Sequence, residues 1–155
     1  MTDFSDLLRP DAVLTGLTVA SKKALFQQLA TTAQMTADID AKLAAERLTL
    51  REKLGSTGFG GGVAIPHAKL PGLEVPVGVF ARLAQPLAYQ AVDDLPVDLV
   101  FALFSPERAG SLHLKSLARI SRRLRDRGFL AKLRGAGSHD AVFALFTTAE
   151  SRNAA

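Results

Sequence analysis

Apolar residues recur along this chain with two different periods, and the switches between them lay out the elements. Behind Ser21, a residue of the N-cap type, Phe26, Leu29, Ala30 and Ala33 fall at i, i+3, i+4 and i+7, the face of an amphipathic helix. A second helix is predicted after Asp38, with Ile39, Leu43 and Leu50 inward, ending near Gly55. Gly55-Ser-Thr-Gly-Phe-Gly-Gly-Gly62 has five glycines in eight residues and predicts irregular backbone. Val63-Ala-Ile65 reads as a short strand running into Pro66-His67. Val75–Leu83 and Val97–Phe104 are apolar and β-rich, like strands covered on both faces, with turns at Pro86 and Asp93–Pro96. The longest helix is predicted from Ser111 to Arg127: His113, Leu117, Ile120 and Leu124 share one stripe, and Gly128 stops it. Phe129–Arg134 reads as a further helical turn or two. Ser138 is expected to cap a last helix, Asp140–Thr148, that buries Val142, Leu145 and Phe146. Helices before, between and after strands predict an α/β fold, a small mixed sheet flanked by helices on both faces.

The length, 155 residues, suits one domain, expected over residues 1–150, with Ser151–Ala155 as a disordered tail. There is no cysteine, which excludes disulfides, thiolate metal sites and cysteine nucleophiles. The first ten residues lack a basic n-region and an apolar run, and no stretch approaches a membrane span, so a soluble, cytoplasmic protein is expected. The net charge of +4 is uneven. Lys115, Arg119, Arg122, Arg123, Arg125, Arg127, Lys132 and Arg134 face a single acid, Asp126, over that stretch. Such a stripe suits nucleic acid, an anionic lipid surface or an acidic protein, or is simply a solvated helix face.

The chemistry rests on three histidines. His139, at a helix start, reads as an exposed turn residue. His113 lies on an apolar stripe, where a histidine is more often part of the core than of a site. His67 stands apart: Pro66 fixes the backbone before it, and the glycine-rich loop upstream offers N–H groups that can form an anion-binding nest. An imidazole beside such a nest suits accepting a phosphoryl group, because the neutral ring is the nucleophile and donors around the peripheral oxygens carry the charge. Arg51, Ser56 and Thr57, with the backbone of Gly58, Gly60 and Gly61, are the candidate donors. A glycine-rich turn with an incidental histidine is the plainer alternative. The loop lacks the Gly-Lys-Ser/Thr of a Walker A motif and the third glycine and following helix of a dinucleotide site. No Gly-x-Ser-x-Gly elbow and no histidine pair of metal-ligand spacing is present, so neither metal nor cofactor is expected.

The run Arg51-Glu-Lys-Leu-Gly-Ser-Thr-Gly-Phe-Gly-Gly-Gly-Val-Ala-Ile-Pro-His-Ala-Lys69 resembles the active-site signature of the phosphotransferase-system enzyme IIA family of the fructose–mannitol type, most of all its nitrogen-related regulatory branch. The resemblance continues through Pro96–Pro106 and His113–Leu124. It implies that His67 takes a phosphoryl group, on Nε2, from a histidine-containing phosphocarrier protein, with His113 assisting and Arg51 as the site arginine. It implies regulated target proteins (transporters, kinases or stress enzymes) as further partners, with no nucleic acid and no membrane insertion. Two positions depart from the usual pattern: Gly61 stands where Asn is common, and Ala68 where Gly is. A sugar-specific IIA serving a IIB domain, and a binding module that works without phosphorylation, are the alternatives. Intact Arg51, His67 and His113 argue against the second, and a chain without a fused IIB segment favours regulation over the first. Phe59, at the tip of the glycine loop, is expected to be exposed and to anchor a partner, the alternative being that it packs inward as a lid on the sheet.

Overall fold

Strand β6 (Val97–Pro106) is the axis of the fold, buried along nearly its whole length because its residues are apolar on both faces. The computed structural model describes residues 4–148; the predicted tail lies outside them. β5 (Val77–Leu87) pairs antiparallel with one side of β6, and β1 (Val13–Leu17) pairs parallel with β5. On the other side, β3 (Val63–Ala64) and β4 (His67–Leu70) both run parallel to β6, one after the other. The gap between them is Ile65–Pro66, where proline has no N–H for the ladder. β2 (Gly58–Gly60) pairs antiparallel with β3 and ends the sheet.

Helices α1 (Lys22–Ala37) and α2 (Ala41–Lys53) pack on each other and against β5 and β4; α3 (Ser111–Leu124), α4 (Arg127–Gly135) and α5 (His139–Thr147) cluster against β6 and β1. This is the expected mixed sheet with helices on both faces. Phe146 of α5 centres the core, with ring centroids 4.8 Å from Phe80, 5.3 Å from Phe129 and 5.6 Å from Phe101. Burying it stabilises the fold by roughly 1.5–3 kcal/mol.

Local chemistry moves several predicted boundaries. Ser21 and Ser138 cap α1 and α5 as expected. Asp38, in the left-handed region, ends α1, and Asp40 caps α2. Ala44 and Leu48, not Leu50, are the buried residues of α2, and Leu50 faces solvent. Pro86 lies inside β5 rather than in a turn, at an irregularity in the β5–β6 register, where a strand tolerates proline. Gly128 does not stop the long helix. The chain breaks at Arg125–Asp126, because the Asp126 carboxylate accepts from Phe129 N–H and starts α4. The glycine segment is not wholly irregular either: it folds the β2–β3 hairpin.

Candidate functional site

His67 opens β4 directly after the break that Pro66 makes in the sheet edge. Its Nδ1 lies 2.8 Å from the Ile65 carbonyl, which only accepts, so Nδ1 carries the proton. Its Nε2 lies 3.2 Å from Nε of Arg51, which only donates, so Nε2 carries the lone pair. Two independent contacts therefore fix the same tautomer. Arg51, in the last turn of α2, is itself held by a 2.8 Å bond from Nη1 to the Gly55 carbonyl. Burial, chiefly, holds the His67 pKa below the usual imidazole value; the bond to Ile65 opposes this, the Arg51 charge adds to it, and Glu52 opposes it. The ring is thus neutral and oriented, with its nucleophilic nitrogen beside a guanidinium.

His113 enters from α3, with ring centroids 5.5 Å apart. It is buried, and its Nδ1 lies 2.7 Å from Oγ of Ser105. Burial first, then the charges of His67 and Lys69, push its pKa down to about 4. The β4–β6 register explains the convergence. His67 pairs with Leu103 and Lys69 with Ser105, so these four share one sheet face, and α3 lays His113 over it. Sequence reasoning missed Lys69 and Ser105. Their signals were the period of two from His67 to Lys69, and a hydroxyl closing an apolar strand.

The glycine loop is shaped by bonds that the sequence did not reveal. Thr57 is buried; its N–H donates to Oε1 of Glu52 at 3.0 Å, and its hydroxyl bonds Glu52 and the Tyr89 hydroxyl. Gly58 N–H donates to Oγ of Ser56. Gly61 N–H donates to Asp93 at 3.0 Å, and its carbonyl accepts from Arg134, which also grips Asp98 through two bonds. The N–H groups of Thr57, Gly58 and Gly61 thus already have acceptors within the chain: the Glu52 carboxylate, the Ser56 hydroxyl and the Asp93 carboxylate. Gly61 has φ +69° and open space where a Cβ would stand. Asn also tolerates that conformation, so the departure from the resembling pattern leaves the backbone path intact. Ala68 is buried opposite Phe104, its methyl packed into the sheet.

Phe59 corrects its expectation. It is half-buried against the core, with the Arg125 guanidinium 5.2 Å from its ring centroid, a lid rather than an exposed tip. Much of the basic stripe is spent in the same way: Arg119 pairs with Asp6, Arg123 stacks on Phe129, and Arg134 binds Asp98. His139 is remote from the site, its Nε2 bonded to the Pro10 carbonyl. Among the described residues no cluster of three or more acidic, histidine or cysteine side chains has the geometry to hold a metal. No described helix is long and apolar enough to cross a membrane. A groove of about 920 Å³ between α1 and α2, lined by Lys23, Phe26, Ala45 and Leu50, includes none of Arg51, His67 and His113.

Comparison with known proteins gives one consistent answer. The model of the family "Phosphoenolpyruvate-dependent sugar phosphotransferase system, EIIA 2" matches residues 6–149. A nitrogen regulatory protein of Bradyrhizobium diazoefficiens is 48% identical over 141 residues, spanning 91% of this chain and 92% of that protein. The crystal structure of nitrogen regulatory protein IIA-Ntr from Neisseria meningitidis has a TM-score of 0.85 at 33% identity, over 92% of this chain and 97% of that one. The mannitol IIA of Escherichia coli shares the fold, with a TM-score of 0.76 at 18% identity over 90% of this chain and 98% of that one.

Proposed function

The chain belongs to the phosphotransferase-system EIIA 2 family, and from that premise we propose that it is a phosphoryl-carrier regulatory protein of the nitrogen-related system. In this reading His67 Nε2 accepts a phosphoryl group from the phosphohistidine of a small carrier protein. The phosphorylation state then governs binding to target proteins. One observation carries the chemistry: His67 is held as the Nδ1–H tautomer with its lone pair on Nε2 beside Arg51.

As the phosphorus–nitrogen bond on the carrier breaks, its electron pair returns to the carrier imidazole; the Arg51 Nε–H bond to His67 Nε2 gives way to the phosphoryl oxygens, and the freed Nε2 lone pair forms the new bond. The proton stays on Nδ1, where the Ile65 carbonyl stabilises the positive charge that the ring acquires. Charge on the three peripheral oxygens meets Arg51, His113 and Lys69, since the N–H groups of Thr57, Gly58 and Gly61 are engaged within the chain. The loop instead sets the path of the backbone. Leu112 and Leu114, which flank His113, and Leu54, three residues beyond Arg51, are exposed apolar side chains suited to the rim of a docking face. The regulatory reading is favoured over sugar uptake because a nitrogen regulatory protein is 48% identical over 91% of this chain, whereas the mannitol IIA that spans 90% of it is 18% identical.

The test is to incubate the protein with enzyme I, a histidine phosphocarrier and phosphoenolpyruvate. An acid-labile, base-stable adduct is expected, absent from a folded His67→Ala variant. Labelling that survives this change would overturn the assignment. Affinity for candidate targets, measured with and without the phosphoryl group, should differ by about 10- to 1,000-fold, each factor of ten being 1.4 kcal/mol. Equal binding of every target would remove the regulatory mechanism.

A further inference from the structure

Ser105 sits at the end of β6, fully buried, and its hydroxyl lies 2.7 Å from Nδ1 of His113. Among the described residues that hydroxyl has no other hydrogen-bond partner, and no solvent reaches it to supply one. Two arrangements fit the distance. If Nδ1 carried the proton and donated to Ser105, the serine's own proton would have no acceptor, and a buried donor left unpaired is costly. If Ser105 donates to the Nδ1 lone pair, the hydroxyl is satisfied and the ring's single proton must lie on Nε2. The neighbouring His67 is fixed by different means in the opposite tautomer, with its lone pair on Nε2.

We propose that Ser105 is a positioning residue that selects the Nε2–H tautomer of His113, so that the two site histidines are set as a complementary pair: a lone-pair nucleophile on His67 and an N–H donor on His113. Its consequence for transfer rests on the phosphoryl-carrier reading; its geometry does not. A neutral imidazole has one proton to offer. In the other tautomer a second lone pair would be exposed on Nε2, which repels phosphoryl oxygens and donates nothing to them. Ser105 thus favours the donor form of His113 although it touches neither nucleophile nor phosphoryl group.

The tautomer is readable without any phosphoryl donor, by nitrogen-15 NMR of the intact protein labelled in its histidines. His113 is expected to show a protonated Nε2 and a bare Nδ1; a protonated Nδ1 in the neutral ring overturns the proposal with no variant needed. Ser105→Ala adds a signed test. Removing a bond that stabilises the neutral ring raises the His113 pKa, whereas removing an acceptor for Nδ1–H lowers it. His67 and Lys69 of β4, the other groups acting on that ring, are unchanged by the substitution. A rise is expected, reversed by Ser105→Thr, which keeps the hydroxyl; a fall, or no movement, refutes the assignment. Phosphoryl transfer to His67 should slow by about three- to tenfold in Ser105→Ala and recover in Ser105→Thr. If the wild-type protein accepts no phosphoryl group, the functional reading fails, while the NMR result still decides the role of Ser105.

Discussion

Glu52 holds the loop that frames His67, and removing its carboxylate should unsettle fold and site together. Its side chain is 8% exposed. Oε1 accepts from the Thr57 N–H at 3.0 Å, from the Thr57 hydroxyl and, at 3.4 Å, from the Tyr89 hydroxyl. Oε2 accepts from Lys22 Nζ at 3.0 Å. Glu52→Ala leaves the Thr57 N–H and a half-buried ammonium without their acceptor, the case in which breaking an enclosed charge pair costs about 3–5 kcal/mol. For a domain of this size each kcal/mol lowers Tm by roughly 2–4 °C, so a fall of about 6–20 °C is expected. Glu52→Gln keeps an acceptor for Thr57 but turns an amide N–H₂ toward Lys22, a smaller loss of about 1–2 kcal/mol. The pH dependence has a definite sign. Hydrogen bonds from Thr57 and Lys22 outweigh burial and hold the Glu52 pKa below the ordinary 4.5. Its stabilisation is therefore complete above the unfolded value and is lost as pH falls through the folded one. Urea unfolding followed by circular dichroism at pH 7, and again below pH 4, measures both effects. A Glu52→Ala variant within 0.5 kcal/mol of wild type (about the scatter of a surface change) would refute the reasoning. So would a Glu52→Gln difference that does not shrink in acid.

Three further outcomes follow from the same geometry. Arg51→Ala should slow phosphoryl transfer by about 10²–10³ and raise the His67 pKa part of the way toward 6.5, burial being its main depressant; rapid-quench labelling and NMR titration check both, and full-speed transfer would return Arg51 to a structural role. Gly61→Asn should leave stability within about 0.5 kcal/mol, whereas Gly62→Ala, with φ +82° and a Cβ 2.6 Å from Arg134, should cost about 1–2 kcal/mol; equal denaturation midpoints for the two would contradict this. Finally, the unfolded chain takes up histidine protons near pH 6.5 that His113 refuses until about pH 4, so stability should fall as pH drops through that window, by up to about 1.4 kcal/mol per unit. His113→Ala should flatten the slope, and an unchanged slope would refute it.

The parts of this fold that were legible in the sequence are those set by local periodicity. The α3 stripe from His113 to Leu124, the serine caps and the apolar β6 need only neighbours a turn or a pleat away. His67 was legible because proline, glycines and imidazole are contiguous there. What escaped depends on partners distant in the chain: Glu52 with Tyr89, Asp93 and Arg134 with Gly61, Ser105 with His113. The glycine loop shows why. Its many N–H groups invite an anion, and nothing local says that Asp93, 32 residues on, supplies one internally. Whether Phe59 is an anchor or a lid was illegible for a related reason, since its cover, Arg125, comes from the end of α3.

These internal bonds also fit the proposed switching. A phosphoryl group that gated partners by remodelling a loose loop would have to order that loop on each transfer. Here the loop is already tied at Thr57, Gly58 and Gly61, and His67 and Arg51 are in place before any phosphoryl group arrives. In the proposed reading, nearly two negative charges would be added to a surface whose loop is already tied. The exposed Leu54 caps the end of α2, which delivers Arg51, and the exposed Leu112 and Leu114 lie on α3, which delivers His113. A partner seated on them in the neutral state would have to desolvate the charge in the other. In the proposed reading the same rim would receive a carrier that delivers the group and release a target that cannot tolerate it, with no remodelling of the loop required.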